Sequence, residues 1–256
     1  LKQLLYTLYD FIAAILSTLF LPLFKITRRF GTENFPLQLK LYRWWGVFPI
    51  RNHYYEPKFL YEDAFDSNLV RDLPLSIDKE RQIEMLRILK DVPELHEFPE
   101  GNTNNDGFYT NNPNFGAGDA ELYYLLIRNN KPKRIIEIGA GYSTQLCLLA
   151  LEKNRAEGAN CELACIEPFE MPFLDALNGV TVIRKQVETI SPDLFKTLEA
   201  NDILFIDSSH IIRPGNDLLF IYFQILPILQ KGVLIHIHDI FTPRHYPQEW
   251  LTKKMR

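Results

Sequence analysis

Between residues 134 and 237 the chain repeats one pattern, a short β-branched run followed by a longer helical stretch, and this rhythm narrows the fold more than any other feature. The runs are Arg134 to Ile138, Glu162 to Ile166, Val180 to Arg184, Ile203 to Ile206 and Gly232 to Ile237. A helical pattern over Ala120 to Asn129 precedes the first run, and another runs from the turn at residues 139–144 to about Lys153. Alternation of this kind predicts a doubly wound α/β architecture, a mainly parallel sheet with helices on both faces. In such sheets ligands bind beyond the carboxyl ends of the strands, near the point where strand order reverses. Glu137, Glu167, Asp207, His238 and Asp239 all fall at or just past those ends. Five ionisable groups there serve no packing purpose, so convergence on a ligand is the better reading.

The turn after the first run reads Gly139-Ala140-Gly141-Tyr142-Ser143-Thr144. A dinucleotide fingerprint needs a third glycine where this chain has Thr144, so a pyrophosphate ligand fits poorly. Glu137, just before the turn, favours a ligand with positive charge. Glu167, thirty residues further on, is placed to accept bonds from two ribose hydroxyls.

With these residues in view, Ile135-Ile136-Glu137-Ile138-Gly139-Ala140-Gly141-Tyr142-Ser143-Thr144 resembles the first motif of class I S-adenosylmethionine-dependent methyltransferases. Ala164-Cys165-Ile166-Glu167-Pro168 is similar to their ribose-binding motif. Leu204-Phe205-Ile206-Asp207-Ser208-Ser209-His210 and Ile235-His236-Ile237-His238-Asp239-Ile240-Phe241 look like the subgroup that modifies natural products and polysaccharides, sugar O-methyltransferases among them. The resemblance covers residues 115 to about 250 and implies a Rossmann-like methyltransferase sheet with S-adenosylmethionine as cofactor.

It also implies roles. Gly139 and Gly141 would pass close to the methionine part, with Ser143 in the first turn of the helix, and Glu137 would face the ammonium. Glu167 would hold the ribose, and Gln186 belongs to the adenine-side loop of residues 186–188. In the catechol O-methyltransferase type, acids after the fourth and fifth strands hold magnesium, and Asp207, His238 and Asp239 stand at the matching places. A His in that set departs from the oxygen donors magnesium prefers and suits a transition metal better. The implied reaction is in-line methyl transfer to a hydroxyl of a sugar or glycosylated product. Candidate bases are His210, the first choice, and His238, with Asp207 as orienter, ligand or cofactor contact. His236 reads as a core histidine. The tail residues His245, Tyr246 and Trp250 could cap an acceptor or simply pack.

Three further readings stay open: an NAD-dependent oxidoreductase, a hydroxylase-type enzyme using Asp207 and His238 for iron, and a non-catalytic interaction protein. The formal net charge of −4 gives no field for a polyanion, so nucleic acid is excluded as the leading partner. The three cysteines, Cys147, Cys161 and Cys165, lack metal-ligand spacing and read as reduced core thiols of a cytoplasmic protein.

The rest of the chain divides at residues 30 and 114. Residues 1–30 form an apolar helix in which Asp10 is the only charge between Leu4 and Phe24, with Pro22 expected to end or kink it. Gln3, Thr7, Asp10, Ala14 and Ser17 recur on one narrow stripe. That stripe suits packing against protein or a sister subunit in a homo-oligomer, or contact of residues 1–24 with the inner membrane surface. A lipid-surrounded span would carry about 2.5 to 3.5 kcal/mol for Asp10. Residues 31–114 form a helical and loop region on the substrate side. It contains the aromatic stretch from Arg43 to Pro57 and a helix from Ser76 to Lys90, with Ser76 as cap and Ile77, Ile83, Leu86 and Leu89 as its apolar stripe. Residues 115–256 form the cofactor domain, in which the seventeen residues after Asp239 leave no room for the family's closing strand pair.

Overall fold

The computed structural model describes residues 2–46, 78–88, 93–102, 107–169, 171–212, 215–241 and 246–247. Most of the aromatic stretch to Pro57, the cap residue Ser76, Ile77, Leu89, His245 and Trp250 lie outside them. The chain divides into two compact units, Leu1–Asp72 with Phe241–Arg256, and Leu73–Ile240.

The first unit contains α1 (Lys2–Phe30) and α2 (Pro36–Trp45). α1 continues past Pro22, which removes one backbone N–H without ending the helix. Gly31, at φ 87, ends it, and Pro36 at the first position of α2 supplies a preset helical φ.

The second unit opens with α3 (Lys79–Ile88), where Asp78 Oδ1 accepts from Arg81 N at 2.9 Å and so caps the helix. α4 (Ala117–Asn130) then leads to β1 (Arg134–Ile138), α5 (Tyr142–Ala156) and β2 (Glu162–Ile166). β3 (Thr181–Ile183), β4 (Ile203–Ile206), α6 (Asp217–Phe220) and β5 (Leu234–Ile237) complete the order. All neighbours pair in parallel, in the order β3-β2-β1-β4-β5. This is the doubly wound, Rossmann-like sheet expected, together with an N-terminal helical region.

Two of its connections differ from the helical segments anticipated. β2 reaches β3 through a 3-10 turn, Pro172–Ala176, and β3 reaches β4 through two more, Val187–Thr189 and Pro192–Thr197. Pro168, Pro172 and Gly179 punctuate the first of these links too closely for a full helix. α6 likewise widens into a π-turn at Ile221–Ile225, just before Pro227, which has no N–H to return to the preceding turn.

Period-two alternation sorts the strands into two cores. Ile135, Leu163, Cys165, Ile203 and Phe205 face Tyr123, Tyr124 and Ile127 of α4 and Leu146, Cys147 and Ala150 of α5. Ile136, Ile138, Ile166, Leu204 and Ile206 face Phe195, Leu198, Phe220, Ile221 and Ile225. Asp202, 1% exposed, ties the strand starts together: Oδ1 accepts from Lys133 N and Arg134 N at 2.9 Å each, and Oδ2 from Glu199 N at 2.8 Å.

Candidate functional site

Strand order reverses between β1 and β4, and there the glycine turn lies against the end of β4. Ile138 O accepts from Asp207 N at 2.8 Å, and Gly139 N donates to Ile166 O at 2.9 Å. Gly139 has φ 82, and a Cβ on it would stand 1.7 Å from the Asp207 carbonyl oxygen. Only glycine fits that crossing. Gly141 has no such demand, since a Cβ there would meet Met171 Cγ at an ordinary 3.5 Å.

Glu137, expected to face a ligand's ammonium, is enclosed by protein side chains. It is 0% exposed, and its register partners Cys165 and Phe205 flank it on the sheet. Tyr123 OH donates to Oε1 at 3.0 Å, while Thr144 Oγ1 at 2.5 Å and Cys165 Sγ at 3.0 Å donate to Oε2. Thr144 Oγ1 in turn accepts from Gly141 N at 3.1 Å, so the buried carboxylate fixes the glycine turn through Thr144. Burial raises the Glu137 carboxyl to about 7, against the lowering pull of its three donors. The same burial and the nearby carboxyl push Tyr123, Cys147 and Cys165 upward, as expected of inert thiols.

Glu167 reaches back to the same turn. Its Oε2 accepts from Ala140 N at 3.4 Å and its Oε1 from Phe169 N at 3.0 Å. Ser143 is buried in the first turn of α5. Tyr142 beside it meets Tyr109 edge-on at 5.6 Å and Phe173 at 6.1 Å. Gln186 is exposed at the start of the Val187–Thr189 turn, beyond β3 at the opposite sheet edge from β5.

At the ends of β4 and β5 three side chains converge. Asp207 Oδ1 lies 3.0 Å from His210 Nε2 and 3.3 Å from His238 Nδ1. One ligand atom from each of these three residues falls within 4.8 Å of the others. Asp239, expected in the metal set, lies outside this group, its Oδ1 3.7 Å from His238 Nδ1, and His210 takes that place. Both His210 and Asp239 have left-handed backbones, at φ 57 and 54. Burial alone would raise Asp207, but hydrogen bonds and charge from His210 and His238 hold it well below the usual carboxylate range.

His238 is 4% exposed, yet neither ring nitrogen makes a hydrogen bond of good geometry. Burial would lower it, but Asp119, Asp207 and Asp239 outweigh burial and raise it to about 10. Asp119 was invisible to the sequence argument, although its Oδ2 stands 3.3 Å from His238 Nε2. It lies in the first turn of α4, far from the strand ends in sequence. His236 is lowered to about 4 by burial and stacks edge-on against Tyr123 and Phe205, a packing role. Asp217 was also missed: its carboxylate takes Ser209 N at 2.8 Å and Ser209 Oγ at 2.6 Å, which holds the loop bearing His210.

Among known proteins, a 138-residue stretch is 31% identical to an uncharacterized protein of Archaeoglobus fulgidus, covering 51% of this chain. The chain spans about 61% of that relative's length. Two solved structures match the chain at low identity. One, from Plasmodium falciparum, is described as a protein-L-isoaspartate O-methyltransferase bound to S-adenosyl-L-homocysteine. It is 16% identical, with 48% of this chain and 60% of that chain covered and a TM-score of 0.31. The other, an S-adenosylhomocysteine-bound methyltransferase of Podospora anserina, is 18% identical, with 68% and 74% covered and a TM-score of 0.33. Residues 136–240, from β1 to just past β5, match the family model described as a methyltransferase domain.

Proposed function

We propose that the chain transfers the methyl group of S-adenosylmethionine to a hydroxyl, with a sugar or glycosylated product as acceptor. The observation that carries this reading is the contact between the glycine turn and Asp207, which sets the acid and its histidines against the loop that would cradle the cofactor. Gly139, Gly141 and Ser143 would border the methionine part, Glu167 the ribose and Gln186 the adenine side. Glu137 works from beneath, through Thr144.

Bound there, S-adenosylmethionine would supply an electrophilic methyl group, its C–S bond breaking with the electron pair left on sulfur as the acceptor's C–O bond forms, and the hydroxyl proton would leave to a base. His210 is that base, oriented by Asp207 at 3.0 Å. His238, raised to about 10 by the carboxylates around it, would favour its protonated form and keep Asp207 ionised.

A second reading is favoured by the clustering of Asp207, His210 and His238, which would hold a divalent ion. Two imidazoles and one carboxylate suit a transition metal better than magnesium. Such an ion would supply Lewis acidity to the acceptor hydroxyl, and His210 would then be a ligand instead of the base.

Calorimetric titration with S-adenosylmethionine and S-adenosylhomocysteine, with and without added divalent ions, comes first. The expected result is binding of both cofactors. No binding by the folded protein overturns methyl transfer and brings forward a non-catalytic role. His210→Asn is then expected to abolish turnover with cofactor affinity within about twofold, and an unchanged rate removes His210 from the mechanism. Loss of wild-type turnover on chelation, restored by a transition metal, selects the metal reading.

A further inference from the structure

The first unit presents an unusual surface. Between Leu4 and Leu23 of α1, thirteen large apolar side chains are exposed, from Ile12 at 48% to Tyr9 at 73%. At 3.6 residues per turn they wrap more than half of the helix, and the remaining narrow stripe carries Thr7, Asp10, Ala14 and Ser17, with Leu21 among them. The apolar segment Leu4–Thr27 has 24 residues, about 36 Å of helix, enough for the roughly 30 Å hydrocarbon layer of a bilayer. Asp10 is a single carboxylate set against those thirteen groups.

α2 extends the pattern. Its Gln38 and Tyr42 are tied to the end of α1: Thr27 Oγ1 donates to Gln38 Oε1 at 2.6 Å, Tyr42 OH donates to the same oxygen at 3.0 Å, and the Tyr42 and Phe24 rings lie 6.1 Å apart. The adjoining stripe, Leu37, Leu41, Trp44 and Trp45, is exposed at 80%, 54%, 78% and 71%. Lys25, Arg28, Arg29, Lys40 and Arg43 fall in the same stretch with Glu33 as the only acid, a local +4 on a chain whose net charge is −4.

We infer that α1 and α2 form a membrane anchor, with α1 buried in the hydrocarbon layer and α2 lying in the headgroup region of an anionic leaflet. Tryptophan is the residue that favours that region, and the basic side chains reach from it to lipid phosphates. The joint at Thr27, Gln38 and Tyr42 turns the chain from the core of the bilayer into its surface. This assignment stands apart from the methyl-transfer chemistry.

The test uses the full chain and vesicles of phosphatidylcholine, alone or mixed with phosphatidylglycerol. The chain is expected to float with both, and Ile12→Arg/Leu16→Arg, which alters two exposed positions, to cut flotation at least tenfold without moving the thermal midpoint. Brominated lipid is expected to quench tryptophan fluorescence, and Trp44→Phe/Trp45→Phe to remove more than half of that quenching. Lys40→Gln/Arg43→Gln is expected to reduce the quenching severalfold only where phosphatidylglycerol is present. A chain that stays at the bottom with both vesicle types overturns the anchor, as does a lipid-free dimer that Ile12→Arg/Leu16→Arg dissolves. Quenching unchanged in Trp44→Phe/Trp45→Phe overturns the placement of α2.

Discussion

At the carboxyl ends of β1 and β5, Glu137 and His238 are 0% and 4% exposed, whereas along α1 Leu4 and Tyr9 are 72% and 73% exposed. The two regions depart from the ordinary sorting of side chains in opposite senses. In the sheet, ionisable groups are desolvated and answered by close partners: Glu137 by Tyr123, Thr144 and Cys165, Asp207 by His210. In α1 the apolar side chains have no partner core among the described residues. The difference teaches that the sheet unit buries its ionisable groups against close partners, while α1 is suited to a surrounding other than water.

The largest expected effect strikes the built side of this contrast. Gly139→Ala forces a Cβ into the Asp207 carbonyl at φ 82, and urea unfolding should register a loss of at least about 3 kcal/mol, with cofactor binding gone. A stable, binding-competent variant would mean that the turn and β4 are not locked together.

Glu137→Gln sharpens the contrast through pH. The folded carboxyl is raised to about 7 from an ordinary 4.5, so the fold holds this proton more tightly than the unfolded chain does. The stabilisation is complete below 4.5 and is lost as pH rises to 7. Relative to wild type, the Gln variant should therefore gain up to about 3 kcal/mol across that window and nothing beyond it. Parallel stability curves would show that burial does not tune this carboxyl.

Asp202→Ala comes next, at about 2 kcal/mol by urea midpoint, because three backbone N–H groups lose their acceptor. Leu8→Asn is the smallest, under about 0.5 kcal/mol, since Leu8 is already 57% exposed. A loss above about 1 kcal/mol at Leu8 would break the comparison by giving α1 a core role.

The sheet was legible because its strands are short, apolar and punctuated. β1, β2 and β4 begin and end at the residues anticipated, and the strand-end acids lie where the rhythm put them. The connections around β3 were misjudged, because counting strands does not reveal that a proline-broken link is too short for a helix. Glu137 shows why side-chain roles were harder. Sequence displays a carboxylate before a glycine turn, but not that Tyr123, Thr144 and Cys165 close over it from α4, α5 and β2. Asp119 was hidden for the same reason, since its approach to His238 depends on how α4 packs on the sheet. The stripe of Leu37, Leu41, Trp44 and Trp45 was present in sequence, but its exposure follows from which face of α2 meets α1.

The crossing of Gly139 over the Asp207 carbonyl also bears on how such a domain can diversify. The turn that would hold the donor and the loop that carries the acid occupy the same few cubic ångströms, so neither can be redrawn alone. A chimera that imports a foreign turn must import the matching end of β4 with it. Loops that touch neither have more freedom to vary, and new acceptor preferences would have to be written there.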